Sequence, residues 1–190
     1  PEKAKHIAGV DNKRADCLSR TPDPEDYCLQ VGLYRRVCAH FGVRPSVDLF
    51  ANRFNRQVER FYAMRPDPLA EGVNALAQTW PTTKVLYANP PWSLITQFLS
   101  KVSEEGATVL TVLPVWQAQA WWTEFRRLWA APPLYLRGEM FACPQGRPLP
   151  PPRWKVAIAL LKGRGPPISR RHSPASENWR PSTTSRTQTS

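Results

Sequence analysis

The chain is predicted to be an α/β protein built on a mainly parallel sheet. Three observations carry this. Short apolar runs rich in β-formers recur at 84–88, 107–113 and 154–161. Helix-like stretches over 93–103 and about 117–129 separate them, and strands alternating with helices argue for parallel pairing. The first two runs are also cut short by proline, at Pro90-Pro91 and at Pro114, which ends a strand abruptly.

The elements follow in order. Residues 26–161 read as one globular unit, preceded by a short Pro-rich linker at 21–25. Asp23 is a suitable cap and Pro24 suits the first position of an opening helix, along which Tyr27, Val31, Tyr34, Cys38 and Phe41 recur at helical spacing. A strand is expected through Val47-Asp48-Leu49-Phe50-Ala51, then a loop-rich stretch over 52–83 marked by Pro66, Pro68 and Pro81. The strand 84–88, the helix 93–103, the strand 107–113 and the Trp-rich helix come next, and two last strands near 134–137 and at 154–161 flank a Pro-rich loop. Trp116, Trp121, Trp122 and Trp129 fall mostly on one helical flank, which favours core packing over base stacking. Residues 162–190, rich in Pro, Ser, Thr and Arg, hold almost no aliphatic residue after Ile168 and are expected to be a disordered tail.

Composition narrows the function classes. Eight Trp and seven Phe can fill a core, and no apolar run approaches a membrane span. No signal sequence opens the chain, so an intracellular setting, nuclear or cytoplasmic, is expected. The chain begins at Pro1 without Met and reads as a segment of something longer. Cys17, Cys28, Cys38 and Cys143 show no paired spacing, so neither a metal site nor a disulfide framework is implied. The net charge of +11 is consistent with a polyanionic partner such as DNA. Within the tail, Lys162, Arg164, Arg170, Arg171, Arg180 and Arg186 face only Glu177. That basic excess suits phosphate binding, and equally a solvated tail.

Asn89-Pro90-Pro91-Trp92 is the most informative motif. It follows a buried strand, and in open α/β sheets ligands bind beyond the strands' carboxyl ends. Two prolines fix φ, and Pro91 holds Pro90 away from helical angles. The Asn89 side-chain oxygen and a backbone carbonyl can then be aimed together at one NH2 group. Trp92 offers a face for the base that carries it. The set suits methylation of an exocyclic amine on a nucleobase.

With these landmarks laid out, residues 26–161 resemble the phage-type Dam group of DNA N6-adenine methyltransferases. Asp48-Leu-Phe50-Ala51 resembles that group's Asp-x-x-Ala segment, and Arg60-Phe61-Tyr62 an aromatic pair that follows it. Asn74-Ala75-Leu76 with Trp80 resembles an Asp-Ala-Leu…Asp-Trp segment, and Asn89-Pro90-Pro91-Trp92 the Asn-Pro-Pro-Tyr motif. Thr111-Val-Leu-Pro114, Trp121-Trp122 and Leu136-Arg137-Gly138-Glu139-Met140-Phe141 resemble the later strand, helix and turn. The resemblance implies a single Rossmann-like methyltransferase domain. It implies S-adenosylmethionine near Asp48, Phe50, Ala51 and Asn74, and catalysis at Asn89, Pro90, Pro91 and Trp92. DNA would meet Arg137, Lys162, Arg164, Arg170 and Arg171. Asp48 also reads simply as a strand-end turn residue. The sequence departs from the group at Asn52-Arg53-Phe54-Asn55, where small residues are expected, and at Asn74 and Thr79, where Asp is expected.

Residues 1–20 carry a second resemblance. His6-Ile-Ala-Gly9 through Asp16-Cys-Leu18-Ser19-Arg20 is similar to the C-terminal end of retroelement RNase H domains, with Asp16 at a metal-ligand position. One carboxylate cannot hold the metal pair that such hydrolysis uses, so Asp16 reads as a relic. An RNase H end joined to a Dam-like domain resembles DIRS-type retrotransposon polyproteins, which implies reverse transcriptase/RNase H and recombinase regions as neighbours. Three functions stay open: an N6-adenine methyltransferase domain, a catalytically inactive DNA-binding domain of the same polyprotein, or a degenerate fragment.

Overall fold

Side-chain alternation in the central strands sets the architecture. In a strand, successive side chains face opposite sides, and here both sides are covered, so the strands read as unbroken apolar runs. The computed structural model describes residues 27–165. The Asp23–Pro24 helix start, the linker, Asp16 and the RNase H-like stretch, and Arg170 and Arg171 lie outside these residues.

The four-stranded sheet holds β4 (Val85–Ala88), β5 (Thr108–Pro114), β8 (Val156–Lys162) and β6 (Leu134–Leu136), in the order β4-β5-β8-β6. Leu86 and Ala88 of β4, Val109 and Leu113 of β5, and Ala157, Ala159 and Leu161 of β8 share one core cluster. Helix α2 (Ile95–Glu105) covers that face with Ile95, Phe98, Leu99 and Val102, and α3 (Trp122–Arg127) adds Trp122 and Phe125. Tyr87, Leu110, Val112, Val156 and Ile158 form the opposite face. There they meet α1 (Val31–Phe41), which brings Leu33, Tyr34, Val37, Cys38 and Phe41. The result is a helix–sheet–helix sandwich.

Pairing continues beyond β4. Asp48 forms parallel bridges to both Tyr87 and Phe61. The amide of Leu49 donates to the Tyr87 carbonyl, and that of Tyr87 to Val47, both at 2.9 Å. Outside this lie β2 (Tyr62–Ala63) and β3 (Gly72–Val73), also parallel. The strand expected over 47–51 is thus a one-residue bridge between β2 and β4. The 52–83 stretch contains β2, β3 and a 3-10 turn at Ala75–Ala77 besides loops.

Several expectations change. The sheet is mixed rather than mainly parallel, for β8 runs antiparallel to both β5 and β6. A parallel return needs a crossover of a dozen or more residues, usually helical, and no helix lies between β6 and β8. Among the described residues the first helix begins at Val31, because Cys28–Leu29 is extended as β1 and pairs with β7 (Phe141–Ala142). The Trp-rich helix is confined to Trp122–Arg127. The fold also runs past residue 161. Lys162 closes β8, and the amides of Gly163 and Gly165 donate to the carbonyls of Ala107 and Ser103 at 2.8 and 2.9 Å.

Candidate active site

The proline-rich corner after β4 is built around carbonyls that are used and carbonyls that are left. The Ala88 carbonyl accepts from the buried Thr111 hydroxyl at 3.1 Å, which fixes the last residue of β4. The Pro91 carbonyl accepts from the Leu94 amide at 2.9 Å, which starts the 3-10 turn Trp92–Leu94 leading into α2. Between them, the Pro90 carbonyl accepts no backbone hydrogen bond from a described residue. Asn89 is 8% exposed, and its carboxamide makes no hydrogen bond to any described residue. Two adjacent acceptors therefore stand unengaged at the carboxyl end of a buried strand.

Trp92 is half-buried and joins a cluster of three indoles. Its ring meets Trp116 at 4.7 Å and Trp154 at 5.1 Å between centroids, nearly perpendicular in both cases, and Trp116 and Trp154 are 5.9 Å apart. Trp116 follows β5 and Trp154 precedes β8, so three strand ends contribute one indole each. The helical-flank reading of the Trp residues holds for Trp122 alone, since Trp121, also buried in the core, precedes the helix and Trp129 follows it. It does not hold for Trp116, because the helix starts six residues later. Sequence spacing does not pair Trp154 with Trp92, because only the antiparallel return of β8 brings the two together.

The Asp48 segment lies at the same end of the sheet, since 47–49 runs parallel to β4. Asp48 is 2% exposed. Its carboxylate accepts from the amides of Gln57 at 3.0 Å and Phe50 at 3.3 Å. Burial raises its pKa to about 7, against the lowering effect of those two amides. Phe50 and Ala51 are buried, Phe50 edge-on to Phe98 at 5.8 Å. The loop beyond them is self-bonded. The Asn55 side-chain oxygen accepts from the Asn52 amide at 2.8 Å, and that of Asn52 from the Phe54 amide at 2.8 Å. The Gln57 carboxamide donates to the Leu29 carbonyl at 2.6 Å.

Asn74 is exposed, with φ 59°, and its side-chain oxygen caps the 3-10 turn through the Leu76 amide. Asn tolerates this left-handed backbone. Trp80, six residues on, is pinned by its indole N–H to the Ala75 carbonyl at 2.8 Å and by its amide to Glu105 at 3.1 Å. The Asn74…Trp80 segment thereby ties the turn to α2.

The five basic residues assigned to DNA separate. Arg137 is exposed just after β6, whose Leu136 pairs with Val156, and so sits at the end of the sheet that carries Asn89. Lys162 pairs with Thr108 at the other end, where its ammonium donates to the Gly106 carbonyl and the Thr108 hydroxyl at 3.1 Å. β5 puts about 20 Å between those ends. Arg164 follows Lys162 there.

A search of curated proteins gives no match to this chain. A protein-family model described as DNA N-6-adenine-methyltransferase (Dam) matches residues 20–134, which include Asp48, Asn74 and the whole Asn89–Trp92 corner. The chain belongs to the Dam family of DNA N6-adenine methyltransferases.

Proposed function

We propose that this chain is one Rossmann-like domain that methylates the N6 amine of an adenine turned out of DNA. The observation that carries this is the pair of free acceptors at Asn89 and Pro90, beside a half-exposed indole. An adenine amine has two hydrogens, and its lone pair is delocalised into the ring. The Asn89 oxygen accepts one hydrogen and the Pro90 carbonyl the other. Holding both draws the nitrogen toward a pyramidal geometry, which takes the lone pair out of conjugation so that it can act as a nucleophile. One of the two held hydrogens then leaves as a proton through its acceptor to water. The gain comes from orientation and fixed dipoles, not from a strong base. Trp92 supports the extruded base, whose release from the stack costs a few kcal/mol.

S-adenosylmethionine, the methyl donor that the family implies, supplies an electrophilic sulfonium methyl when bound. The residues assigned to it fit in part. Asn74 presents an exposed carboxamide, whereas Phe50 and Ala51 are buried and the Asp48 carboxylate is taken up by two amides. In this reading Asp48 sets the path of the 50–57 loop, and Asn74 with that loop's backbone holds the donor.

That same loop favours a second reading, a DNA-binding domain without methyl transfer. Its Asn52 and Asn55 side chains consume local amides that a cofactor would otherwise meet. We further place the chain in a DIRS-type retrotransposon polyprotein, on the resemblance of residues 6–20 to an RNase H end. Calorimetric titration with S-adenosylmethionine separates the two readings. Saturable binding is expected, and a flat trace leaves only DNA binding or a degenerate fragment. Asn89→Ala should then lower methylation at least about 100-fold, the scale for losing one preorganised polar partner, with the thermal midpoint unmoved. Methylation that persists in that variant refutes the assignment of Asn89.

A further inference from the structure

The three indoles at the reaction corner come with cations that lie outside the region the family shares. Residues 153–155 read Arg-Trp-Lys, and Arg153 and Lys155 are exposed on either side of half-buried Trp154. Trp154 is fixed by its contacts with Trp92 and Trp116. The Lys155 carbonyl accepts from the Val115 amide at 2.8 Å, which ties the segment to the end of β5. Pro150, Pro151 and Pro152 precede it and restrict its approach. Two long cationic side chains are therefore carried on a stiff, anchored segment that touches the Trp92 indole.

Neither cation is ion-paired with a described residue. Around the 52–71 loop, by contrast, Arg53 pairs with Asp67 and Arg60 with Glu71. Arg137 joins the same end from β6 but shares its turn with Glu139. The strongest unneutralised positive charge beside the indole cluster is thus Arg153 with Lys155. Solvated cations need no such anchoring for solubility.

We infer that Arg153 and Lys155 are a phosphate clamp for the DNA strand that bears the target base, with Trp154 as the post that holds them beside Trp92. The inference rests on the reading of the corner as an adenine site. Phosphate contacts position a duplex without reading its sequence. Two of them, flanking the indole cluster, would fix which nucleotide stands over Asn89.

The test is DNA binding by the full 190-residue chain, followed by fluorescence anisotropy with a 20-base-pair labelled duplex over a range of salt. Each lost phosphate contact lowers the slope of log K against log salt by about 0.9. Arg153→Gln with Lys155→Gln should reduce the slope by about 1.8, and each single substitution by about half that. Arg44→Gln with Lys84→Gln removes two exposed cations at the opposite end of the sheet and should leave the slope unchanged. Equal slopes for wild type and the 153/155 pair overturn the clamp, as does an equal loss in the 44/84 pair or a wild type without affinity for DNA. Titrating the same variants with S-adenosylmethionine reports separately on binding of the methyl donor. The 153/155 pair should bind it as the wild type does, so a failed clamp and a failed methyltransferase reading give different results.

Discussion

Among single residues, Tyr87 shows how the site's neighbourhood was settled by packing. Its ring is buried against Tyr34, 5.2 Å away and nearly perpendicular, on the α1 side of the sheet. Its hydroxyl is buried with no hydrogen-bond partner among the described residues. Burial, with Asp48 nearby, holds its pKa well above the ordinary tyrosine range, so the group stays neutral. An unpartnered buried hydroxyl costs about 1–3 kcal/mol. Tyr87→Phe should therefore raise stability by about 1 kcal/mol, seen as a thermal midpoint about 2–4 °C higher. A lower midpoint would mean that the hydroxyl is satisfied. The motif legible from sequence at this scale was Asn89-Pro90-Pro91-Trp92, because proline fixes backbone angles whatever surrounds it. Trp116 and Trp154 were not legible as partners of Trp92. Their meeting depends on strand ends that come together only after the sheet has formed.

Elements that were long and strongly patterned could be read directly. The mostly apolar seven-residue strands β5 and β8, and the spacing of Ile95, Phe98, Leu99 and Val102 in α2, declare their period without help. The two-residue strands β1 and β7 did not, since each exists only through the other. The direction of β8 was also hidden, because an apolar run is the same read either way. Close approach between elements rests on glycine. A Cβ on Gly163 would stand 1.7 Å from the Val102 carbonyl oxygen, inside the last turn of α2, and backbone cannot yield as a side chain would. Gly42, which ends α1 with φ 64°, has open space around it. Gly163→Ala should consequently cost more than about 3 kcal/mol and Gly42→Ala only about 1–2 kcal/mol, the left-handed penalty alone. Urea denaturation of both variants measures the difference. Equal losses would show that α2 and the end of β8 can move apart.

For the whole molecule, acid–base linkage follows from placing one carboxylate inside the sheet. Asp48 has a folded pKa raised to about 7 from an ordinary value of 3.8, chiefly by burial. The folded state therefore holds this proton more tightly than the unfolded chain does. The group favours folding below about pH 4, loses that advantage as pH rises toward 7, and adds a constant penalty above it. Asp48→Asn should remove this dependence. Its stability relative to wild type should rise by a few kcal/mol between pH 5 and pH 8, less whatever the Phe50 and Gln57 amides lose. A difference that stays flat with pH would mean that Asp48 is ionised without cost. The antiparallel course of β8 has a practical consequence. The polypeptide quits the sheet at the pole away from Asn89, about 20 Å from where the base is handled. A fluorophore attached at exposed position 164, as Arg164→Cys, would sit clear of a bound duplex. Paired with a dye on the DNA, it would serve as a ruler for how the duplex lies across the protein.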